Sequence, residues 1–190
     1  LFEKLLERAR YVGEIGLDAS PRFYASFQEQ RRVFDRILRA CSEQGDKVLS
    51  IHSVRSVTWV LRALEESLHN RSCIPVLHWF TGTKAEAHRA LEQGCYFSVN
   101  IEMMRNARTH SLIRFIPSDR LLTESDGPFV EYGERPIRPS DMPETLTMLG
   151  EIRKTDLPIL AEQVLRTYQT IQSSEESARE GRQRSLFKRN

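Results

Sequence analysis

Cysteine is scarce in this sequence, with three among 190 residues, at the widely separated positions Cys41, Cys73 and Cys95. The odd number and the absence of any Cys-x-x-Cys pair argue against a disulfide framework or a thiolate metal site. We therefore expect reduced cysteines that fill small apolar spaces. This use of cysteine favours a cytoplasmic protein.

Long apolar runs and a large charge of one sign are also missing. No apolar run approaches the roughly 20 residues that span a bilayer, and the first residues, Leu-Phe-Glu-Lys-Leu-Leu, lack the pattern of an export signal. We therefore expect no membrane partner. A formal net charge of +2 gives no case for a broad basic surface, so any contact with nucleic acid would be local. The length fits about one domain.

Short apolar runs alternate with longer amphipathic stretches along the chain. The apolar runs are Tyr11–Leu17, Lys47–His52, Ile74–Phe80, Cys95–Val99 and Arg120–Glu124. The stretches with helical spacing run from Ser20-Pro21 to Gly45, over 54–68, from Thr83 to Gln93, and over 141–152 and 157–172. Strands that alternate with helices of this length indicate βαβ units and a parallel sheet. The near-continuous apolar character of the strands is expected when both faces of a sheet are covered.

Ionisable residues stand on or just beyond four of these runs: Glu14, His52, His78 and Asp126. If the strands are parallel neighbours, the four side chains converge at the carboxyl edge of the sheet, as in (β/α)₈ barrels. Two histidines and two carboxylates suit Zn²⁺, Mn²⁺ or Mg²⁺ in a hydrolytic site.

Structural roles are the alternatives for the same residues. A carboxylate at Glu14 on an apolar strand needs a partner, which a salt bridge would also supply. A histidine at a strand end is often a satisfied core residue. Trp79 and Phe80, which follow His78, fit core packing as well as the stacking of bases.

Several of these segments resemble the TatD family of metal-dependent deoxyribonucleases. The matching pieces are GEIGLD (13–18), residues 28–34 of the following helix, SIHS (50–53), LHWFTG (77–82), CYFSVN (95–100) and LLTESDGPF (121–129). The resemblance covers roughly residues 1–172. The segments SIHS and HWFTG are most similar in sequence to those of QatD, the TatD-like member of the Qat anti-phage defence systems.

The resemblance implies a role for each residue of the predicted site. Glu14, His52, His78 and Asp126 are expected to bind two divalent ions, with Glu14 bridging them. Asp126 is expected to orient or deprotonate the attacking water.

Other residues are assigned to the surroundings of the ions. Asp18 and Glu124 are candidates to hold the ring N–H of a ligand histidine. The candidates for phosphate binding are Arg55, Arg135 and Arg138, for which a solvated surface position is the alternative. At this point the sequence departs from the family, because Val54 stands where a typical member has Arg, and Arg55 follows one residue later.

The implied fold is a TIM-type (β/α)₈ barrel of the metal-dependent hydrolase class. Only about five strands are found here, and the His-x-His motif that opens the family is absent from these 190 residues. We therefore expect the C-terminal part of a barrel over residues 1–172, with the first three β/α units missing. The first residue, Leu1, also suggests a piece of a longer protein. Residues 173–190 have little apolar content and are expected to form a disordered tail.

The implied activity is hydrolysis of DNA, either single strands or ends, by a metal-activated water, within a defence system. The alternative is a non-catalytic or conditionally active barrel subunit that docks with other defence proteins. Hydrolysis of a different small ester or amide on the same scaffold is a third possibility, since fold alone does not fix chemistry.

Overall fold

The structure, a computed structural model, describes residues 2–68 and 73–187, with side chains up to residue 173. Five parallel strands lie side by side in chain order and form one sheet. The strands are β1 (Tyr11–Asp18), β2 (Lys47–Val54), β3 (Cys73–Leu77), β4 (Tyr96–Val99) and β5 (Leu121–Thr123). The predicted α/β fold with a parallel sheet is confirmed. Within the described sheet, β1 and β5 are the edge strands.

Helices connect the strands, as the amphipathic stretches predicted. They are α1 (Phe2–Leu6), α2 (Phe27–Gln44), α3 (Val57–Ser67), α4 (Lys84–Glu92), α5 (Ile101–Arg105), α6 (His110–Phe115), α7 (Met142–Arg153) and α8 (Leu157–Phe187). Short 3₁₀ helices lie at Tyr24–Ser26, Ala107–Thr109, Ser118–Arg120 and Pro139–Asp141. A small antiparallel hairpin, β6 (Glu131–Tyr132) and β7 (Arg135–Pro136), follows β5.

Apolar side chains cover both faces of the sheet. Alternate residues of a strand point to opposite faces, and the two sets belong to different clusters. Leu49, Leu77 and Phe97 join the main core with α2 and α3, whereas Val48 and Val76 pack in a second cluster. Helix α8 contributes to that second cluster through Ile171. Burial on both faces explains why these strands are continuous apolar runs.

The loop after β1 is longer than the sequence predicted. We expected a helix from Ser20-Pro21, but α2 begins at Phe27. The Ser20 N–H instead donates to the Asp18 carboxylate at 2.7 Å, which forms a local turn after the strand. The amide of Gln30 then holds the backbone of both Asp18 and Phe23.

Strand β3 is shorter than predicted, since it ends at Leu77 rather than at Phe80. The His78 N–H makes the last bond to the sheet, to the Ile51 carbonyl at 2.9 Å. The backbone then turns through a left-handed Trp79 with φ of 40°. Phe80 is fully buried against Phe97, whereas Trp79 is half-buried.

Both ends of α4 have typical helix-capping residues. Thr83 caps the helix in a reciprocal pair with Glu86, and Gly94 follows with a positive φ of 81°. At the other end of the chain, α8 continues to Phe187, although we expected no regular structure after residue 172. Many residues of that segment have good helix propensity, such as Glu, Ala, Arg and Gln. Residues 188–190 of the predicted tail lie outside the described residues.

All three cysteines are buried, as expected of small apolar fillers. Burial raises the pKa of the Cys41 thiol to about 11 and that of Cys95 to about 12. Among the helices of the described chain, none combines the length and the apolar character that crossing a membrane requires.

Candidate metal centre

Glu14 lies on a β-bulge in β1. The pairing of β1 with β2 joins Val12 to Leu49 and Ile15 to Ile51, so two residues of β1 face one residue of β2. A bulge redirects the side chain that it carries. Glu14 therefore points into the site from within the strand, while His52 and His78 stand nearer the ends of their strands.

The glycines that flank Glu14 allow β1 to approach β2 closely. A Cβ atom on Gly13 would lie 2.7 Å from the Cβ of Ser50. A Cβ on Gly16, which has φ of 139°, would lie 2.1 Å from the carbonyl oxygen of His52. The Gly-Glu-Ile-Gly sequence thus brings Glu14 and His52 onto neighbouring backbones.

Glu14, His52 and His78 form a compact group of three possible metal ligands. Their ligand atoms all lie within 4.8 Å of one another. Glu14 Oε1 is 3.1 Å from His52 Nδ1 and 3.3 Å from His78 Nε2. The structure therefore brings three of the four predicted ligands together, as parallel strands required.

Asp126 lies beside this group. Its Oδ1 atom is 3.4 Å from His78 Nε2. The residue has a left-handed backbone with φ of 52°, and its carbonyl accepts the N–H groups of Phe129 and Val130. Gly127 and Pro128 lie inside this tight turn. Burial raises the pKa of Asp126, and the neighbouring Glu124 and Glu14 carboxylates add to the rise against the opposing effect of the two histidines.

Glu124 holds His78 in place. Its Oε2 accepts from His78 Nδ1 at 2.7 Å, and its Oε1 accepts the Trp79 N–H at 3.0 Å. Because a carboxylate only accepts, Nδ1 carries the proton and the Nε2 lone pair faces Glu14 and Asp126. Burial lowers the pKa of His78, but Glu124, Glu14 and Asp126 outweigh it and raise that pKa.

Ser98 and Asn100 complete the surroundings of Glu124 and were not predicted as site residues. The Ser98 hydroxyl donates to Oε2, and Asn100 Nδ2 donates to Oε1 at 3.1 Å. Asn100 also caps α5 by accepting the Met103 N–H. The signal that could have found them is two polar residues spaced by two at the end of an apolar strand, which places both on one face.

Asp18 lies on the other side of His52, with its Oδ2 3.7 Å from His52 Nε2. This distance is too long for a direct hydrogen bond. Burial would raise the pKa of Asp18, but hydrogen bonds from Ser20 and the charge of His52 outweigh it and lower that pKa. Asp18 therefore remains a carboxylate facing the ring, and its predicted role in holding a ring N–H stays a prediction.

The site lies in an open cleft of about 870 Å³. Glu14, Asp18 and Asp126 give the cleft three carboxylates, and Arg55 is the cationic side chain among the residues that line it in the described structure. Phe23 also lines the cleft and is 44% exposed.

The predicted phosphate-binding arginines separate into two groups. Arg55 follows β2 and lines the cleft. Arg135 makes a two-pronged ion pair with Asp141, at 2.7 and 2.8 Å, and neither Arg135 nor Arg138 belongs to the lining. The Arg135 guanidinium thus already holds the hairpin to the start of α7.

The donor set fits a divalent cation. Two imidazoles and a carboxylate with ligand atoms this close are a borderline-to-hard ligand set, which suits Zn²⁺ or Mn²⁺. The carboxylates around the cleft outnumber the cations that line it, so its field attracts positive charge. The Nδ1 atom of His78, which faces away from Glu14, is hydrogen-bonded to Glu124, as is usual for ligand histidines.

Known proteins similar to this chain include two nucleases. Residues 1–172 match the family model described as TatD related DNase. The 3'-5' ssDNA/RNA exonuclease TatD of Citrobacter koseri is 33% identical over 124 residues, which are 63% of this chain and 46% of that protein. The deoxyribonuclease Tat-D of Schizosaccharomyces pombe is 30% identical over 128 residues, which are 67% of this chain and 39% of that protein.

A solved structure has a similar fold. A TatD homologue from Escherichia coli K12 superposes with a TM-score of 0.78 at 26% identity, over 89% of this chain and 67% of that one. The chain thus spans about half the length, or less, of the two curated relatives named above. With the family model matched over residues 1–172, the chain belongs to the family of TatD related DNases.

Proposed function

We propose that the protein is a metal-dependent phosphodiesterase that hydrolyses DNA. The observation that carries the proposal is the group formed by Glu14, His52 and His78, with the Asp126 carboxylate 3.4 Å from His78. Family membership supports the same reaction. The names of the relatives extend the proposal to single-stranded DNA or DNA ends as substrate.

Glu14, His52 and His78 would hold the metal, and Asp126 would complete the ligand set. A divalent ion bound here would act as a Lewis acid. It would lower the pKa of a bound water and offset the charge of the phosphate. The proposal includes Zn²⁺, Mn²⁺ or Mg²⁺ and two ions that share Glu14. The position of Glu14 Oε1 between both histidine rings supports a shared carboxylate.

The chain's own residues divide the remaining work. Asp126, partly buried beside His78, would accept the proton of the attacking water or orient that water. Glu124 accepts a hydrogen bond from the His78 ring and keeps it oriented, and the Asp18 carboxylate faces the His52 ring. Arg55, at the side of the cleft, donates to phosphate oxygens and offsets their charge.

The proposal also includes a complete (β/α)₈ barrel, of which the five described strands are one part. The parallel order of the sheet supports it, because (β/α)₈ barrels are built from neighbouring parallel strands. The placement of Glu14, His52, His78 and Asp126 on or beyond carboxyl ends is also typical of that fold.

Asp126→Asn tests the catalytic assignment. The substitution keeps shape and one acceptor oxygen but removes the negative charge. We expect hydrolysis of single-stranded DNA to fall by about 10²-fold or more, the contribution of a general base, with little change in the melting temperature. The assay compares Mg²⁺, Mn²⁺ and Zn²⁺ with a chelator control. Asp119→Asn, an exposed residue just before β5, is the matched control.

A role in anti-phage defence is the finer form of the proposal, supported by the resemblance of residues 50–53 and 78–82 to QatD. In this form the barrel also docks with other defence proteins. If the wild type shows no metal-dependent hydrolysis under any of these conditions, the docking subunit becomes the better description. Loss of phage resistance in cells that carry Asp126→Asn would instead tie defence to hydrolysis.

A further inference from the structure

Two phenyl rings stand at the mouth of the cleft and have no role in the proposed chemistry. Phe23 and Phe129, here called the aromatic rim, both line the cleft that holds Glu14, His52 and His78. Phe129 is 78% exposed, the highest fraction among the large apolar side chains that are exposed in the described part of the chain. Phe23 is 44% exposed.

The two rim residues follow strands at opposite edges of the described sheet. Phe23 follows β1 and Phe129 follows β5, and these are the two edge strands of the described sheet. The histidines of the candidate metal centre come from β2 and the end of β3, between those edges. A polymeric substrate lying across the metal centre would therefore meet one ring on each side.

The backbone beneath each ring is fixed. The Phe129 N–H donates to the Asp126 carbonyl at 2.9 Å, and the next residue, Val130, is 1% exposed. The Phe23 carbonyl accepts from the Ser26 N–H and from the side-chain amide of Gln30. Each ring is thus presented to solvent from a fixed backbone.

Leaving such rings in water has a cost. Phe129 forgoes most of the stabilisation that burial of a phenylalanine side chain provides, and Phe23 forgoes part of it. A planar apolar ligand would recover that energy. The group that suits a ring beside a phosphodiester site is a nucleobase, because any base can stack on an aromatic side chain.

We propose that Phe23 and Phe129 stack on unpaired bases on either side of the bond that is cleaved. The inference rests on the proposed phosphodiesterase function and specifies its substrate. Bases inside a duplex are covered on both faces by their neighbours, so only single strands and frayed ends can use the rim. Stacking reads no hydrogen-bond pattern, so recognition is tolerant of sequence.

The test measures binding of a fluorescent single-stranded oligonucleotide by anisotropy. It is done with chelator and, in an Asp126→Asn background, with Mn²⁺. Phe129→Ala and Phe23→Ala should each weaken binding by about 5- to 100-fold, the contribution of one stacked base. Phe129→Trp should retain the affinity, whereas Phe129→Leu should lose most of it because it keeps apolar volume without a ring face.

Controls separate stacking from other effects. Phe115→Leu, at a 37% exposed ring on α6 that does not line the cleft, should leave binding unchanged. An oligonucleotide with abasic sites should bind wild type and Phe129→Ala equally. A blunt duplex should show little dependence on either ring. In steady-state hydrolysis, the alanine variants should raise KM with kcat little changed.

Equal oligonucleotide affinity of wild type and Phe129→Ala would overturn the stacking proposal, as would wild-type affinity in Phe129→Leu. If the wild type hydrolyses DNA while the rim variants bind normally, only the stacking fails. If binding depends on the rim but no metal supports hydrolysis, the phosphodiesterase function fails and the stacking stands. No binding by the wild type under either condition would overturn the inference.

Discussion

Glu124 is the side chain that connects the candidate metal centre to the sheet. It follows β5, contacts His78 after β3, and accepts from Ser98 on β4 and from Asn100 just beyond that strand. Such a carboxylate fixes both the tautomer and the direction of the ring. The position of His78 therefore depends on the hydrogen bond from its Nδ1 to Glu124.

Glu124→Gln tests this dependence. The amide keeps the size of the side chain but introduces a donor among groups that already donate to it. We expect Mn²⁺ affinity to fall by about 10- to 100-fold and stability to fall by about 1–3 kcal/mol. Metal titration and urea unfolding measure the two effects. Glu134→Gln, an exposed residue of the hairpin, is the control, and unchanged Mn²⁺ affinity in Glu124→Gln would contradict the positioning role.

Between elements, Arg153 joins the end of α7 to the end of α6. Its Nη1 donates to the carbonyls of Ile113 and Ile116 at 2.6 and 2.8 Å, and its Nη2 donates to the Ser118 hydroxyl at 2.9 Å. Burial lowers the pKa of this guanidinium. The arginine thus satisfies carbonyls that the end of a helix leaves without partners.

Arg153→Met should lower the free energy of unfolding by about 2–4 kcal/mol, because buried carbonyls lose a charged donor. Arg153→Lys should recover part of this loss, since one ammonium cannot reproduce the planar fork. Urea unfolding provides the measurement. Arg114→Met, at an exposed residue of α6, should change stability little. A small loss at Arg153 would show that water replaces the guanidinium.

A pH effect is expected where the hairpin meets α7. Hydrogen bonds from Arg135 and from the Arg138 N–H lower the pKa of Asp141 from its usual 3.8 to about 2. A carboxyl group with a depressed folded-state pKa stabilises the protein above its usual pKa and loses that contribution as pH falls towards the folded value. In thermal melts, the stability gap between wild type and Asp141→Asn should be full above about pH 5. The gap should close between pH 4 and pH 2, and a constant gap would contradict this account.

For the whole molecule, metal binding and folding should be linked. An ion that binds the folded protein alone stabilises it by about 2.7 kcal/mol at 100 times its Kd. We expect Mn²⁺ or Zn²⁺ to raise the melting temperature of the wild type and not that of a Glu14→Gln, His52→Ala variant. His88→Ala, at an exposed histidine of α4 near Glu92, should keep the shift. An equal shift in the site variant would place the ion elsewhere.

Much of this molecule was predictable because parallel strands carry two strong signals. Continuous apolar runs predicted the five strands, and ionisable residues on or beyond them predicted which side chains meet. The loop after β1 was not predictable, since Gln30 lies 12 residues from Asp18 and holds it through tertiary contacts. The exposed position of Phe23 depends on that loop. Ser98 and Asn100 were missed because their role appears only when three strands are assembled.

The arrangement on the sheet also determines where the chain length could change during evolution. One extra residue in β2 ahead of His52 would move the ring by about 3.3 Å and turn it to the other face. At the amino ends of the strands, the turns that lead into β2 and β4 lie near Gly45 and Gly94. These turns carry none of the candidate metal ligands. Insertions there would leave the centre intact. Descendants of this chain can therefore gain residues in the turns at the amino ends of the strands, whereas the strands that lead to the metal centre keep a fixed number of residues.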